Sequence, residues 1–576
     1  MKKYFLWISE VIVIIAVLLV INNYLGNQEL LIKADGKGYY DYLPATFIYH
    51  DLNFKYTDTL QTDYYDQKSY SAGYLKHVNG KQINKYFPGV SILWSPFFAG
   101  AHIYALNSKY PADGYSYPYQ KSIFFAAIFY LWLGLLYLRR LLLCFNINPI
   151  VILSILILFT LATPLLNYVQ YDPSFTHVYS FALVNIFSFY GYSYLQKQKT
   201  IDFFIAAFIL GFITIIRPVN LISAVILLLF FNSFEDFKNT FTNIFFSHRN
   251  HIYKAFLIFL AVVSIVPLLW WHQTGQFFIW GYQDEGFNFL SPAFFDFLFS
   301  ARKGAFVHTP LLFISLLGGL FVWLRTKNYY RLGIFIILVT LITYVLSSWW
   351  SWYYGASYGS RPMIEYYIVF AFALAQFLNH FKNRIYSHVL TLLFLFLIPI
   401  NIIQVFQYQN YIMDWEEMTW DKFRFIGLHT EKKYRGVFFR KTINYNLDQV
   451  IYSEDFIMDP PVQFESEKHE IIASFIADSI LHLDQVNHVH IVADIEYETG
   501  NSEIVLSIND STGKNIYWYS PHVFAATQKE NTRYNFADFY YQIPTIPEGA
   551  TFQIGVSSHA DKIKVHQIKI NLIHKP

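Results

Sequence analysis

The chain has 576 residues, of which 55% are hydrophobic, 20% aromatic and only 14% charged, with a net charge of +2. That balance excludes a soluble globular protein of this size, and the near-neutral charge offers no surface for nucleic acid. The only cysteine is Cys144, which excludes an intrachain disulfide.

The opening Met-Lys-Lys and the apolar run after it carry no small-x-small cleavage signal, so they read as a retained first helix rather than a signal peptide. Apolar spans of about 20 residues are predicted near 5–24, 119–138, 150–170, 175–195, 201–216, 218–232, 255–271, 305–324, 332–350, 362–379 and 388–408. The segment 88–107 is also apolar, and the distribution of basic residues decides its status. If it does not span, Lys2/Lys3, Arg139/Arg140, Lys197/Lys199, Lys238/Arg249/Lys254, Arg325/Lys327/Arg331 and Lys382/Arg384 all face the cytoplasm. Otherwise Arg139/Arg140 and every later cluster flip outward. The segment is therefore placed along the outer interface. The expected layout is an α-helical polytopic membrane protein of about eleven helices, N-terminus inside, C-terminus outside. The segment 201–232 is too long for one span and short for two, and Arg217-Pro218 breaks it.

The expected domains are 1–408 (membrane, with a long outer loop 26–118), an interfacial linker 409–440, and an outer domain 441–576. Period-two alternation in 488–498, 503–509, 515–519, 551–557 and 562–572 gives the last an all-β reading, a sandwich or jelly roll. Trp518 there stacks on sugar in one reading; in the other the domain is only a cap or assembly surface.

Charges beside lipid are expensive, so the polar breaks in the apolar half are candidate sites. All fall on the expected outer face. Ala34-Asp35-Gly-Lys-Gly-Tyr-Tyr-Asp41-Tyr-Leu-Pro44 follows the first span, and Lys85-Tyr-Phe-Pro-Gly-Val-Ser-Ile-Leu-Trp94 comes later in the same loop. Ile216-Arg217-Pro-Val-Asn220, Ser300-Ala-Arg302-Lys303-Gly-Ala-Phe-Val-His-Thr-Pro310 and Trp352-Tyr-Tyr-Gly-Ala-Ser-Tyr358-Gly-Ser-Arg361-Pro362 complete the set. Together, over about 1–410, they resemble the GT-C glycosyltransferase superfamily, which includes protein O-mannosyltransferases and the lipid A aminoarabinose transferase.

The resemblance implies a bacterial inner-membrane enzyme that moves a sugar from a polyprenyl-phosphate donor to a glycan, lipid or protein acceptor on the extracytoplasmic face. A carboxylate would accept the attacking hydroxyl's proton, and Arg or Lys donors would stabilise the departing phosphate. Asp35 is the expected base, with Asp41 and Asp172 as further acidic candidates. Lys85, Arg217, Arg302, Lys303 and Arg361 are candidate phosphate contacts; Tyr39, Tyr40, His177 and Tyr358 are candidate lining residues.

Each has a plainer reading. Asp35 also suits a helix cap, Asp41 a pair with Lys37, and Asp172 a turn before proline. His177 suits packing, while Arg361, Arg302 and Lys303 suit headgroup contact. Arg217 needs a partner from elsewhere in the fold, because no acidic residue lies between Asp202 and Glu235. Asp284-Glu285 reads as a solvated turn. The outer loops hold no Asp-x-Asp, and there is no His-Glu-x-x-His, so no metal or other cofactor is expected; an ion shared by Asp35 and Asp172 has no motif behind it. A lipid-linked glycan transporter or flippase, a non-catalytic glycan-binding scaffold, and an O-antigen ligase are the rival classes.

Overall fold

The computed structural model describes residues 9–26, 30–57, 64, 73–78, 80–283, 285–381, 384–431, 434–435, 438, 449–465, 468–477, 480, 483–497, 503–520, 535–558 and 562–574. Lys2, Lys3, the start of the first span, Asp284 and Lys382 lie outside the described residues. The chain divides into a helical unit, Met1–Phe406, and a second unit, Gln407–Pro576.

In the helical unit the chain is a multi-pass membrane protein. Six helices are individually long and apolar enough to cross a bilayer: Gly89–Leu106, Tyr117–Cys144, Arg249–Thr274, Tyr329–Ser347, Arg361–His380 and Leu392–Gln409. A seventh span is formed if Pro218–Phe230 is joined to Phe234–Ser247 across a 115° bend. Several of the eleven expected spans are instead shorter apolar helices, Ser9–Leu25, Pro149–Leu161, Thr200–Ile216 and Pro310–Arg325. Helix His177–Lys197 falls short on composition, because its Ser, Asn and Tyr side chains pack against protein along most of its length. A helix sheltered from lipid has no need of an apolar surface.

Within the segment 88–107, Gly89–Leu106 is a helix packed antiparallel to the N-terminal half of Tyr117–Cys144: Phe97 meets Phe129, and His102 Nδ1 lies 2.6 Å from Tyr119 Oη. The awkward length of 201–232 is resolved by conformation. Thr200–Ile216 is α-helical, Arg217 is extended, and Pro218–Phe230 is a 3₁₀ helix of 13 residues. At roughly 2.0 Å of rise per residue, that stretch reaches about 26 Å, where an α-helix would reach about 20 Å.

In the second unit, strands β3 (Val450–Glu465), β4 (Lys468–Ile476), β5 (His488–Tyr497), β6 (Glu503–Asn509), β7 (Asn515–Tyr519), β8 (Asn535–Gln542), β9 (Thr551–Ser558) and β10 (Lys562–Ile573) form two antiparallel sheets. A short hairpin in the 26–118 loop, β1 (Leu75–Val78) with β2 (Lys81–Asn84), is the other sheet among the described residues. The orders are β3-β10-β5-β8 and β4-β9-β6-β7. Ile491, Ile568 and Ile570 of one sheet share a core with Ile504, Leu506 and Ile554 of the other, which makes the pair a sandwich. β3, β4 and β8 were not legible as alternation. In β3, Pro460-Pro461 interrupts the pattern, and the strand tolerates them because it lies at a sheet edge.

Candidate active site

Four segments of the helical unit meet around one cavity of about 290 Å³. The first is a short helix, Asp35–Tyr40, in the loop after the first helix. It packs tightly on the 171–176 turn, since a Cβ on Gly36 would overlap Ser174 Oγ. The second is the start of Gly89–Leu106 with the residues before it, Lys85 to Phe87. A Cβ on Gly89 would stand 2.5 Å from the Ile215 carbonyl oxygen, so only glycine allows this helix to abut the chain entering Arg217. The third is Arg217 itself, at the junction of α- and 3₁₀-helix. The fourth is the 3₁₀ turn Arg361–Tyr366.

The charged groups are arranged as ion pairs. Arg361 Nη2 binds Asp35 Oδ2 at 2.8 Å, and the Tyr86 hydroxyl donates to Asp35 Oδ1 at 2.7 Å. Arg217 Nη1 and His177 Nδ1 both bind Glu365 Oε1, at 2.6 and 2.9 Å. Because a carboxylate can only accept, Nδ1 of His177 carries the proton. Lys85 Nζ binds Glu285 Oε1 at 2.7 Å. Aromatic rings make up much of the remaining wall. Tyr39 lies 4.4 Å from Tyr86, Tyr282 stands edge-on to Trp349 at 5.6 Å, and Trp280, Trp350 and Tyr354 line the rest.

Asp35 is one-third exposed to this space. Burial pushes its carboxyl up, but the Arg361 guanidinium, the Tyr86 hydrogen bond and Lys85 together hold it below the usual carboxylate range. Burial raises the Tyr39 and Tyr86 phenols, so both remain neutral hydroxyls, and Tyr86 stays a donor.

Of the residues singled out from sequence, Asp35, Tyr39, Lys85, His177, Arg217 and Arg361 line the cavity. Six others lie away from its lining. Asp41 is fully buried, accepting from Lys37 Nζ at 2.6 Å, Tyr74 Oη at 2.5 Å and Tyr115 Oη at 2.7 Å. Asp172 accepts from Asn167 Nδ2 at 2.9 Å and pairs with Lys33 at 3.4 Å. The Arg302 guanidinium stacks 3.5 Å over the Tyr353 ring, and Lys303 Nζ is buried, donating to the Ser357 carbonyl. Tyr40 donates to the Gly114 carbonyl at 2.5 Å. The Tyr358 hydroxyl lies 2.9 and 3.0 Å from the amide oxygens of Asn401 and Gln404. Among the described residues no group of three or more His, Cys, Asp or Glu side chains is placed to hold a metal ion.

Sequence reasoning missed Glu365 and gave Glu285 the wrong surroundings. Glu365 is fully buried and supplies the partner that Arg217 requires. The signal was present: an acidic residue four positions after Arg361, inside an apolar run, where an isolated carboxylate is expensive. Glu285 is no solvated turn residue, because its side chain bonds Lys85 and its carbonyl accepts from Trp280 Nε1 at 3.1 Å.

No protein-family model matches the chain, and no curated protein does. Among solved structures it aligns with the cryo-EM structure of the arabinosyltransferase EmbB from Mycobacterium smegmatis, at 10% identity and a TM-score of 0.41. The alignment covers 98% of this chain and 64% of that one, so the chain spans under two thirds of the length of EmbB. A likeness this loose carries no inference about activity.

Proposed function

We propose that the protein is a membrane glycosyltransferase of the GT-C type, moving a sugar from a polyprenyl-phosphate donor to an acceptor on the extracytoplasmic face. The observation that carries this reading is the cavity. It brings the carboxylate of Asp35, paired with the Arg361 guanidinium, into one aromatic-walled cavity with the Arg217 guanidinium, in a chain of membrane-spanning helices.

In this reading the donor phosphate lies against Arg361 and Arg217, and the sugar faces Tyr39, Tyr282 and Trp349. The acceptor oxygen attacks the anomeric carbon and the bond from that carbon to the phosphate oxygen breaks. The lipid phosphate leaves with the bonding electron pair, and the hydroxyl proton passes to Asp35. Arg361 then has two tasks. It holds Asp35 ionised in the resting site, and it meets the extra negative charge that develops on the leaving phosphate. The phosphate is a sufficient leaving group without a separate acid.

The test is sugar transfer by the purified protein from a panel of radiolabelled undecaprenyl-phosphate sugars, with envelope extracts as acceptors. Wild type is expected to turn over one donor class. Asp35→Asn, eluting like wild type, is expected to lose about 10²- to 10⁴-fold in kcat. Equal turnover by both would remove Asp35 as the base. No turnover with any donor would remove the transferase reading in favour of transport.

A further inference from the structure

The charges around the cavity are already matched. Three cations on its wall, Lys85, Arg217 and Arg361, are each bonded to one carboxylate, respectively Glu285, Glu365 and Asp35. An anionic ligand therefore adds a charge that no cation on the described wall is unengaged to neutralise. In a poorly solvated site such an excess is costly.

Glu365 differs from the other two carboxylates. It is 0% exposed, and one oxygen, Oε1, serves both Arg217 and His177. The other oxygen, Oε2, is buried without a hydrogen-bond partner among the described residues. So a single carboxylate is shared by a permanent cation and by an imidazole that becomes cationic only on protonation. The other groups facing His177 are Arg361, the Tyr168 ring at 5.1 Å and the Phe175 ring at 6.3 Å. Burial is the largest influence against a proton on His177; Arg217 and Arg361 also oppose it while the cavity is empty of anions, and Glu365 favours it. An anion seated against Arg217 cancels one of the two opposing charges and draws that guanidinium off Glu365.

We propose that Glu365 is a shared counter-ion that couples binding of a phosphodiester anion at Arg217 to uptake of one proton by His177. The ligand brings one negative charge, the proton one positive charge, and Glu365 exchanges Arg217 for the imidazolium. Asp35 takes no part in the exchange and remains ionised for the transfer step. This inference rests on the phosphate site of the proposed function.

The probe is dodecyl methyl phosphate, a diester with one fixed charge, titrated into the full-length protein in phosphatidylcholine nanodiscs. Calorimetry in buffers of different ionisation heat counts the protons. The expected result is uptake of about one proton, with Kd rising roughly tenfold per pH unit between the free-state and the bound-state values of His177. Because a proton is taken up, affinity must fall as pH rises. His177→Gln, which keeps an amide donor for Glu365, is expected to show neither uptake nor slope.

Binding by wild type with a flat Kd from about pH 6 to about pH 8 and no proton uptake overturns the coupling and leaves the phosphate site standing. Uptake that persists in His177→Gln overturns the assignment to His177. No binding of the diester at any pH overturns the proposed function on which the inference rests. Dimethyl phosphate is expected to bind far more weakly. Equal affinity for it would assign the site to a soluble phosphate and overturn the lipid donor.

Discussion

Asp35 and Asp41 lie on the same loop in opposite environments. Asp35 looks into the cavity, while Asp41 is closed off by a lysine and two tyrosines. The same substitution should therefore produce different failures. Asp41→Asn leaves the Lys37 ammonium buried without its carboxylate, at a cost of about 3–5 kcal/mol, read as a lower unfolding midpoint in detergent. Asp35→Asn should cost activity with a smaller fall in that midpoint, because Asp35 is one-third exposed where Asp41 is fully buried. If Asp41→Asn unfolded like wild type and lost turnover, the assignment of the two carboxylates would be reversed. The partners that distinguish them, Tyr74 and Tyr115, come 33 and 74 residues after Asp41. For that reason the sequence presented the two aspartates as near equals. Arg217 was visible because a cation in an apolar run demands an explanation, Arg361 through the 352–362 motif that carries it, and Glu365 obeyed the logic of Arg217 unread.

The pairing of Asp35 also fixes the sign of a pH effect. Its folded value lies below the ordinary carboxylate value of about 3.9. The stabilisation from its pairing is thus present above the unfolded value and is lost as pH falls through the folded one. Wild-type kcat/KM should show no acid limb from Asp35 in the neutral range. In Arg361→Gln the effect of burial, the largest influence on this carboxyl, meets less opposition. The acid limb of kcat/KM should move to higher pH, and an unmoved limb would mean that Arg361 does not set the ionisation of the base.

Elements, more than residues, are where expectation and structure part. Hydropathy locates apolar runs but not the conformation that spends their length, so 201–232 was ambiguous until its second half proved to be 3₁₀. Helix 88–107 was placed on the outer interface by charge distribution; the structure shows a regular helix held by its start against Ile215. Two glycines of this helix test that contact. Gly89→Ala forces a methyl to within 2.5 Å of the Ile215 carbonyl oxygen, which is backbone and cannot swing away. A loss of about 1–3 kcal/mol is expected, with weaker donor binding, because the displaced segment carries Lys85. Gly100→Ala meets nothing within 4 Å and should stabilise by roughly 0.5–1 kcal/mol through helix propensity alone. Equal effects in unfolding assays would show that the close approach at Gly89 does not matter. In the second unit the strands with clean alternation could be read directly, whereas β3 could not, since an edge strand tolerates prolines that break the pattern.

At the scale of the whole molecule the open quantity is orientation, and the structure alters the charges on which it rests. Arg139 was counted among the inner basic residues, yet its Nε is bonded to Glu10 Oε1 at 2.6 Å, both side chains being buried. Arg331 is likewise buried, with Nε donating to the Phe231 carbonyl at 3.0 Å. Neither presents an unscreened charge to a membrane surface. Arg140, Lys197, Lys199, Lys238, Arg249, Lys254, Arg325 and Lys327 still carry the bias, so the expectation that these loops face inward does not depend on the two buried arginines. The chain supplies its own reporter. Cys144 is its only cysteine, exposed at the end of Tyr117–Cys144 beside Arg140. In right-side-out cells a membrane-impermeant maleimide should leave Cys144 unlabelled until the membrane is permeabilised. On a Cys144→Ser background, Ser511→Cys in the exposed β6–β7 turn should label in intact cells. Labelling of Cys144 from outside would invert the helical unit and put the cavity on the face where a lipid-linked sugar is made rather than used. Protection of Ser511→Cys alone would require an odd number of crossings between the two positions to become even, and with it a helix such as Pro149–Leu161 or Pro310–Arg325 that changes from crossing to surface-bound or the reverse.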